Sequence, residues 1–247
     1  MNYAVLYNVF LCWMVGLISL AATRAVLMRP KPSVALRALG LSWLFAALLW
    51  FLTGLRLLAY FTYLVNGKAG LLVLDRLIFY TGEIFLAGQT VSIIFFAAHS
   101  VWRNRKVTLV LAWLSLVSAA SFLVLLYWLG VADYLETPWG SEHVLSPAAF
   151  YAFLPGYSLS LCLVVSVIMK GGLRRWRGVS GPGRAETLSA IAILLYGVAG
   201  VFDVRGSWGG WELLLIRVSY LVAALITFWA ARPEDNSIRV VRRLEEP

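Results

Sequence analysis

Arg56, Arg76, Glu83 and Arg217 stand inside long apolar runs of the sequence, and their spacing is helical. At 3.6 residues per turn, Arg56, Tyr60 and Tyr63 form one stripe, with Thr53 a turn further in. Arg76, Tyr80, Glu83, Ala87 and Thr90 form a second stripe, and Gln89 falls off it. Arg217 sits in a third run, with Glu212 near its start. A lone charge at a bilayer centre costs roughly 2.5–3.5 kcal/mol on insertion scales, so both stripes are expected to face inward and pair. Two arrangements meet that need. One is an ion pair, Arg56 with Glu83, that clamps helices together. The other is a polar cavity that binds an anionic or polar ligand, and the excess of Arg56, Arg76 and Arg217 over Glu83 suits an anion. Arg56, Tyr60, Arg76, Tyr80, Glu83 and Arg217 are therefore the candidate ligand-binding or ion-pair residues. Asp75 falls near the surface end of its run and needs little explanation there.

Apolar helices must position these groups. The chain has 247 residues, 61% hydrophobic and 13% charged, with a mean hydropathy of +0.82. Soluble domains are about 45–50% apolar and about 25% charged. A bilayer core takes about 20 apolar helical residues, and seven segments have that length: about 3–23, 38–64, 71–101, 107–131, 147–169, 186–204 and 210–231. The expected fold is all-α, one polytopic bundle of seven transmembrane helices over 1–231, followed by a short charged tail, 232–247. The first segment lacks the basic start of a signal peptide and reads as the first helix. The tight loop VNGKAG makes helices two and three antiparallel neighbours. At about 1.5 Å per residue, Arg56 lies about 13 Å, Glu83 about 18 Å and Arg217 about 9 Å below the outer surface.

Lys and Arg set the orientation. The odd-numbered loops and the tail carry 16 of them, including Arg29, Arg103, Lys170 and Arg174, against Lys68 and Arg205 in the even-numbered loops. The N-terminus is expected outside and the C-terminus in the cytoplasm. The asymmetry also accounts for the net charge of +9 without nucleic acid. The most basic loop, KGGLRRWRGVSGPGRAE, contains a flexible turn and would lie on anionic lipid. Trp128, Trp139, Trp208, Trp211 and Trp102 read as interfacial anchors.

No reaction is suggested by the residue types. The last helix has no lysine for a retinal Schiff base. His99 and His143 fall at opposite ends and cannot share a haem iron. No metal-ligand cluster, phosphate loop or nucleophile–base pair appears. Cys12 and Cys162 read as small apolar residues. No catalytic residue, metal or cofactor is expected. Pro155, in FLPGYS, is the single hint of a helix broken at mid-membrane.

With its N-out plan and short loops, the chain resembles the seven-helix sensor regions of some bacterial histidine kinases and diguanylate cyclases. The stretch LDRLIFYTG at 74–82 and the basic exit HSVWRNRK are similar to their third helix. That resemblance implies a bacterial cytoplasmic membrane protein that passes a signal to a separate protein, since no output domain is expected after residue 231. The expected function is a non-enzymatic ligand sensor or an accessory subunit of a larger membrane complex. Its partners would be the lipid bilayer and either a membrane protein or a second copy. A small-solute or anion transporter is the alternative, weakened by the absence of internal repeats.

Overall fold

A computed structural model describes residues 3–29, 31–177, 183–203 and 211–231 of the chain. The seven expected helices are present: α1 (Tyr3–Leu27), α2 (Val34–Asn66), α3 (Gly70–Trp102), α4 (Arg105–Leu129), α5 (Pro147–Arg177), α6 (Arg184–Asp203) and α7 (Trp211–Ala231). Each is long and apolar enough to cross a membrane. The protein is thus an all-α, multi-pass membrane bundle. The charged tail, Trp208, Arg205 and most of the GVSGPGR turn lie outside the described residues.

Local chemistry sets most boundaries. Ser33 caps α2, its hydroxyl accepting from the Leu36 N–H at 3.2 Å, and Asn104 caps α4 by accepting from Lys106 N–H at 2.9 Å. Both satisfy donors that the first helical turn leaves free. Gly67 ends α2 in the left-handed region at φ 66°. Charged residues do not stop a helix, so α5 continues past the expected end at 169 to Arg177 and carries Lys170, Arg174 and Arg175 on its last turns.

Six helices form a closed ring. α1 packs on α2 and α7, α2 on α3, α3 on α5, α5 on α6 and α6 on α7; α4 lies outside, against α3 and α5. The outer face of α4 presents Val110, Trp113, Leu114, Val117 and Val124 to the surface, as a lipid-facing helix must. Pro155 does not break α5. Ser118 of α4 donates its hydroxyl to Ala152 C=O at 2.7 Å and accepts from Gly156 N–H at 3.2 Å. The two backbone groups beside the proline that are separated by four residues are thereby bridged through one hydroxyl, a recurrent way of keeping proline in membrane helices.

The segment between α4 and α5 is more than a loop. Val131–Thr137 (β1) and Gly140–Leu145 (β2) pair antiparallel, with Pro138 and Trp139 at the turn. Thr137 Oγ1 donates to Gly140 C=O at 2.9 Å and accepts from Trp139 N–H at 3.3 Å. The hairpin folds back over the bundle against α2 and α1. Gly140 is required at the closest approach: its φ is 148°, and a Cβ there would come within 2.3 Å of Leu57 Cδ2. Trp139, expected as a lipid anchor, is instead drawn onto the bundle. Its carbonyl accepts from Asn8 Nδ2 at 3.0 Å, and its ring meets Tyr7 edge-on. Trp128 and Trp211 remain exposed at the hairpin end, as anchors would be.

Packing differs between the two ends. Toward the loops rich in Lys and Arg, the ring closes on Val26, Leu39, Ile94, Phe96, Ala97, Val164, Val167 and Ala190, all fully buried. Cations there serve the helix ends. Arg29 donates from Nε and NH2 to the C=O groups of Ala231 and Ala230 at 2.6 and 2.7 Å, and Lys170 Nζ donates to Val101 C=O at 3.1 Å. Last-turn carbonyls lack helical partners, and cations there also suit the helix dipole.

Candidate functional site

At the hairpin end the helices diverge around a cavity of about 180 Å3. Trp50, Thr53 and Arg56 of α2 line it with Phe79, Gly82 and Glu83 of α3. Phe153 and Tyr157 of α5, Tyr196 and Asp203 of α6, and Arg217 and Tyr220 of α7 complete the wall, and Glu142 to Leu145 of β2 form its roof.

Two arginine–aspartate pairs flank the cavity. In the first, Arg56 NH1 lies 3.9 Å from Asp75 Oδ1, and the aspartate is fully buried. The hairpin completes this pair. Ser141 Oγ donates to Asp75 at 3.1 Å, while Arg56 NH1 donates to Ser141 Oγ at 3.3 Å and contacts His143 Nδ1 at 2.9 Å. A guanidinium has no acceptor, so Nδ1 must accept and the neutral ring carries its proton on Nε2. Nε2 faces Asp75 Oδ2 at 3.4 Å without the alignment of a hydrogen bond. The imidazole stacks on Phe79 at 4.5 Å and meets Tyr134 edge-on. Burial, reinforced by the positive charges of Arg56 and Arg76, pushes the His143 pKa down to about 3. His143 is therefore a neutral acceptor whose lone pair is taken by Arg56.

In the second pair, Arg217 NH1 donates to Asp203 Oδ2 at 2.6 Å. Tyr220 O–H donates to the same oxygen at 3.1 Å, and Arg217 Nε donates to Asn8 Oδ1 at 3.3 Å. The guanidinium also lies 4.9 Å from the Trp50 ring centre, within cation–π range. Asn8 joins both regions, since its amide nitrogen holds the hairpin turn through Trp139. Trp50 Nε1–H donates to Tyr196 O–H at 2.8 Å beneath the pair.

Of the six residues expected at a site, Arg56, Glu83 and Arg217 line the cavity. Tyr60 is buried in the core beside Tyr63, outside the cavity wall. Arg76 is exposed. Tyr80 turns toward α4, stacking on Tyr127, whose hydroxyl donates to the Tyr80 C=O at 3.2 Å. Tyr80 thus lies on the α4 side of α3, outside the cavity wall. The buried face of α3 is centred on Asp75, Ile78, Gly82 and Gln89, which rotates the Arg76 edge out at the first turns. A long arginine there reaches polar surroundings with little cost. Gln89, placed off the stripe by its spacing, is buried.

The expected partner of Arg56 is also corrected. Its guanidinium turns to Asp75 and the hairpin, and Glu83 Oε2 is buried with no hydrogen bond among the described residues. Asp75, read as a surface residue, is fully covered because the hairpin folds over the end of α3. The expected arginine excess disappears as well. Each cavity arginine has its own aspartate, and Glu83 and Glu142 remain beyond them. Glu142 lies on the roof in the fields of Arg56, Asp203, Arg217 and Asp75, and burial raises its pKa to about 7.

Asp75, Ser141, Glu142, His143 and Asp203 were missed as members of the site. Helical periodicity concerns one helix and is silent about a strand that returns across it. The signal was present in the segment VADYLETPWGSEHVL, two runs of strand-forming residues about a Pro-Trp-Gly turn. Among the described residues, no group of His, Cys, Asp and Glu is placed to hold a metal. In comparisons with known proteins, no family model matches the chain and no curated protein matches it.

Proposed function

We propose that the protein is a non-enzymatic sensor of the bacterial cytoplasmic membrane that receives a small ligand in the cavity under the hairpin and relays its presence to a membrane partner. One observation carries this reading. The hairpin itself forms part of the cavity wall: Glu142 to Leu145 line it together with Arg56 of α2 and Glu83 of α3. Such a site suits reception rather than passage. Ligand contact with Glu142 or His143 would change how the hairpin is held on Arg56 and Asp75, and α2 and α3 carry those pairs down into the packed core. The loop charge asymmetry supports a hairpin end facing outward and a basic end in the cytoplasm. The resemblance to sensor regions supports signalling to a separate protein. Pro155, bridged through Ser118, gives no broken helix of the kind transporters use.

The test uses purified protein in lipid nanodiscs, a panel of small polar solutes and hydrogen exchange of residues 131–145. A solute that raises the unfolding midpoint is expected to slow hairpin exchange. Co-purification in mild detergent is expected to recover a membrane protein. Uptake of that solute into proteoliposomes, abolished by Arg56→Ala, would replace the sensor reading by transport.

A further inference from the structure

The charges of the cavity are unevenly satisfied. Arg56 is engaged by Asp75, Ser141 and His143, and Arg217 by Asp203, Asn8 and the Trp50 ring. No ion pair reaches Glu83 or Glu142 among the described residues. Glu83 is 9% exposed, lines the cavity and leaves Oε2 without a hydrogen bond. An unpartnered buried carboxylate oxygen is costly, and each such group in a native fold calls for a reason. A bound cation supplies one.

We infer that the cavity binds a small organic ammonium ion, its nitrogen on Glu83 and its apolar body against the aromatic wall. Both halves of the ligand have counterparts. Glu83 offers a carboxylate that no protein cation occupies, and Glu142 on the roof adds a second. Phe79 and Phe153 line the wall with aromatic carbon, which covers an apolar body, while the Trp50 ring already carries the Arg217 guanidinium. A bare metal ion fits poorly, since hard cations take six or more oxygens and no metal-binding group is formed here. Size limits the body: a cavity of about 150 Å3 holds a benzene ring, and this one measures about 180 Å3. The ligand is thus an organic ammonium ion on a compact body of about six carbons.

This inference rests on the cavity being the ligand site proposed above, so its test separates the two. Three probes of one shape and different charge, cyclohexylammonium, cyclohexanol and cyclohexanecarboxylate, are titrated calorimetrically into the protein in nanodiscs. Cyclohexylammonium is expected to bind at least tenfold more tightly than the other two. Glu83→Asp should keep that preference and Glu83→Gln should abolish it. A measurement on the unaltered protein covers a glutamine variant that does not fold. Carbodiimide labelling of Glu83, read by mass spectrometry, should be blocked by cyclohexylammonium and not by the carboxylate. Tighter binding of either other probe overturns the ammonium assignment and leaves the ligand-site reading standing. Failure of all three to bind overturns the assignment too, and the solute panel with hairpin exchange then decides the sensor reading by itself. Ammonium binding that survives Glu83→Gln unchanged also overturns it.

Discussion

The two ends of the bundle are held by different physics. At the basic end, alanine, valine, isoleucine and phenylalanine side chains fill the ring, and cations cap helix ends. At the hairpin end, arginines meet aspartates across helices and a strand lines a cavity. Lipid tails are as apolar as leucine, so no hydrophobic drive holds the packed end; close contact between small side chains does. Van der Waals contact fades with every gap, so that end is closed. Charge pairs tolerate a gap, and the hairpin end keeps one. The comparison teaches where a membrane bundle can afford a ligand site: where polar pairs, rather than packing, join the helices.

The largest test of this difference is Asp75→Ala. It leaves the Arg56 guanidinium buried without its carboxylate, which should cost about 3–5 kcal/mol, measured by unfolding in mixed detergent. Hydrogen exchange across 131–145 should accelerate, because Ser141 loses its acceptor. Phe96→Ala, in the packed end, should cost a similar ~3–5 kcal/mol through the cavity it leaves, yet hairpin exchange should not change. Equal acceleration in both variants would erase the distinction between the ends.

An effect of intermediate size comes from acid. His143 has its folded pKa lowered from 6.5 to about 3, so the unfolded chain binds a proton that the folded one refuses, and its contribution is lost as pH falls below about 6.5. Glu142 is raised from 4.5 to about 7, so its contribution is present below about 4.5 and lost as pH rises through 7. The two slopes oppose each other between about 4.5 and 6.5 and leave a plateau. Below about 4.5 Glu142 is protonated in both states while His143 still acts, facing Arg56 and Asp75. At ~1.4 kcal/mol per pH unit, the loss by pH 3 is about 2 kcal/mol. His143→Gln should remove that loss in a pH series of unfolding midpoints. An identical acid limb in the variant would show that the hairpin histidine has no part in it.

The smallest effect is expected between the two ends. Ser118→Ala strips the bridge from Ala152 C=O and Gly156 N–H beside Pro155. Interhelical hydrogen bonds in membranes average about 0.6 kcal/mol, so stability should fall by about that much, with α5 exchanging faster near 152–156 and cavity binding unaltered. A loss of several kcal/mol would mean that α4 belongs to the structural core rather than to its periphery.

The sequence by itself determined the membrane class and the number of helices. Each of those follows from run length, composition and rise per residue along one segment. Arg56, Glu83 and Arg217, which line the cavity, were legible as buried charges because a charge in the middle of an apolar run has no cheap explanation. Tyr60, Arg76 and Tyr80 were misplaced because a helical stripe is only as accurate as the guess of which face turns inward. Only the tertiary structure decided the partners. Ser141 meets Asp75 across 66 positions and Arg217 meets Asn8 across 209, distances over which periodicity carries no information. The hairpin is decisive: it buries Asp75, directs Arg56 away from Glu83 and roofs the cavity. Those outcomes depend on where a strand docks, and docking is settled by charge pairing, ring stacking and the space that Gly140 leaves beside Leu57.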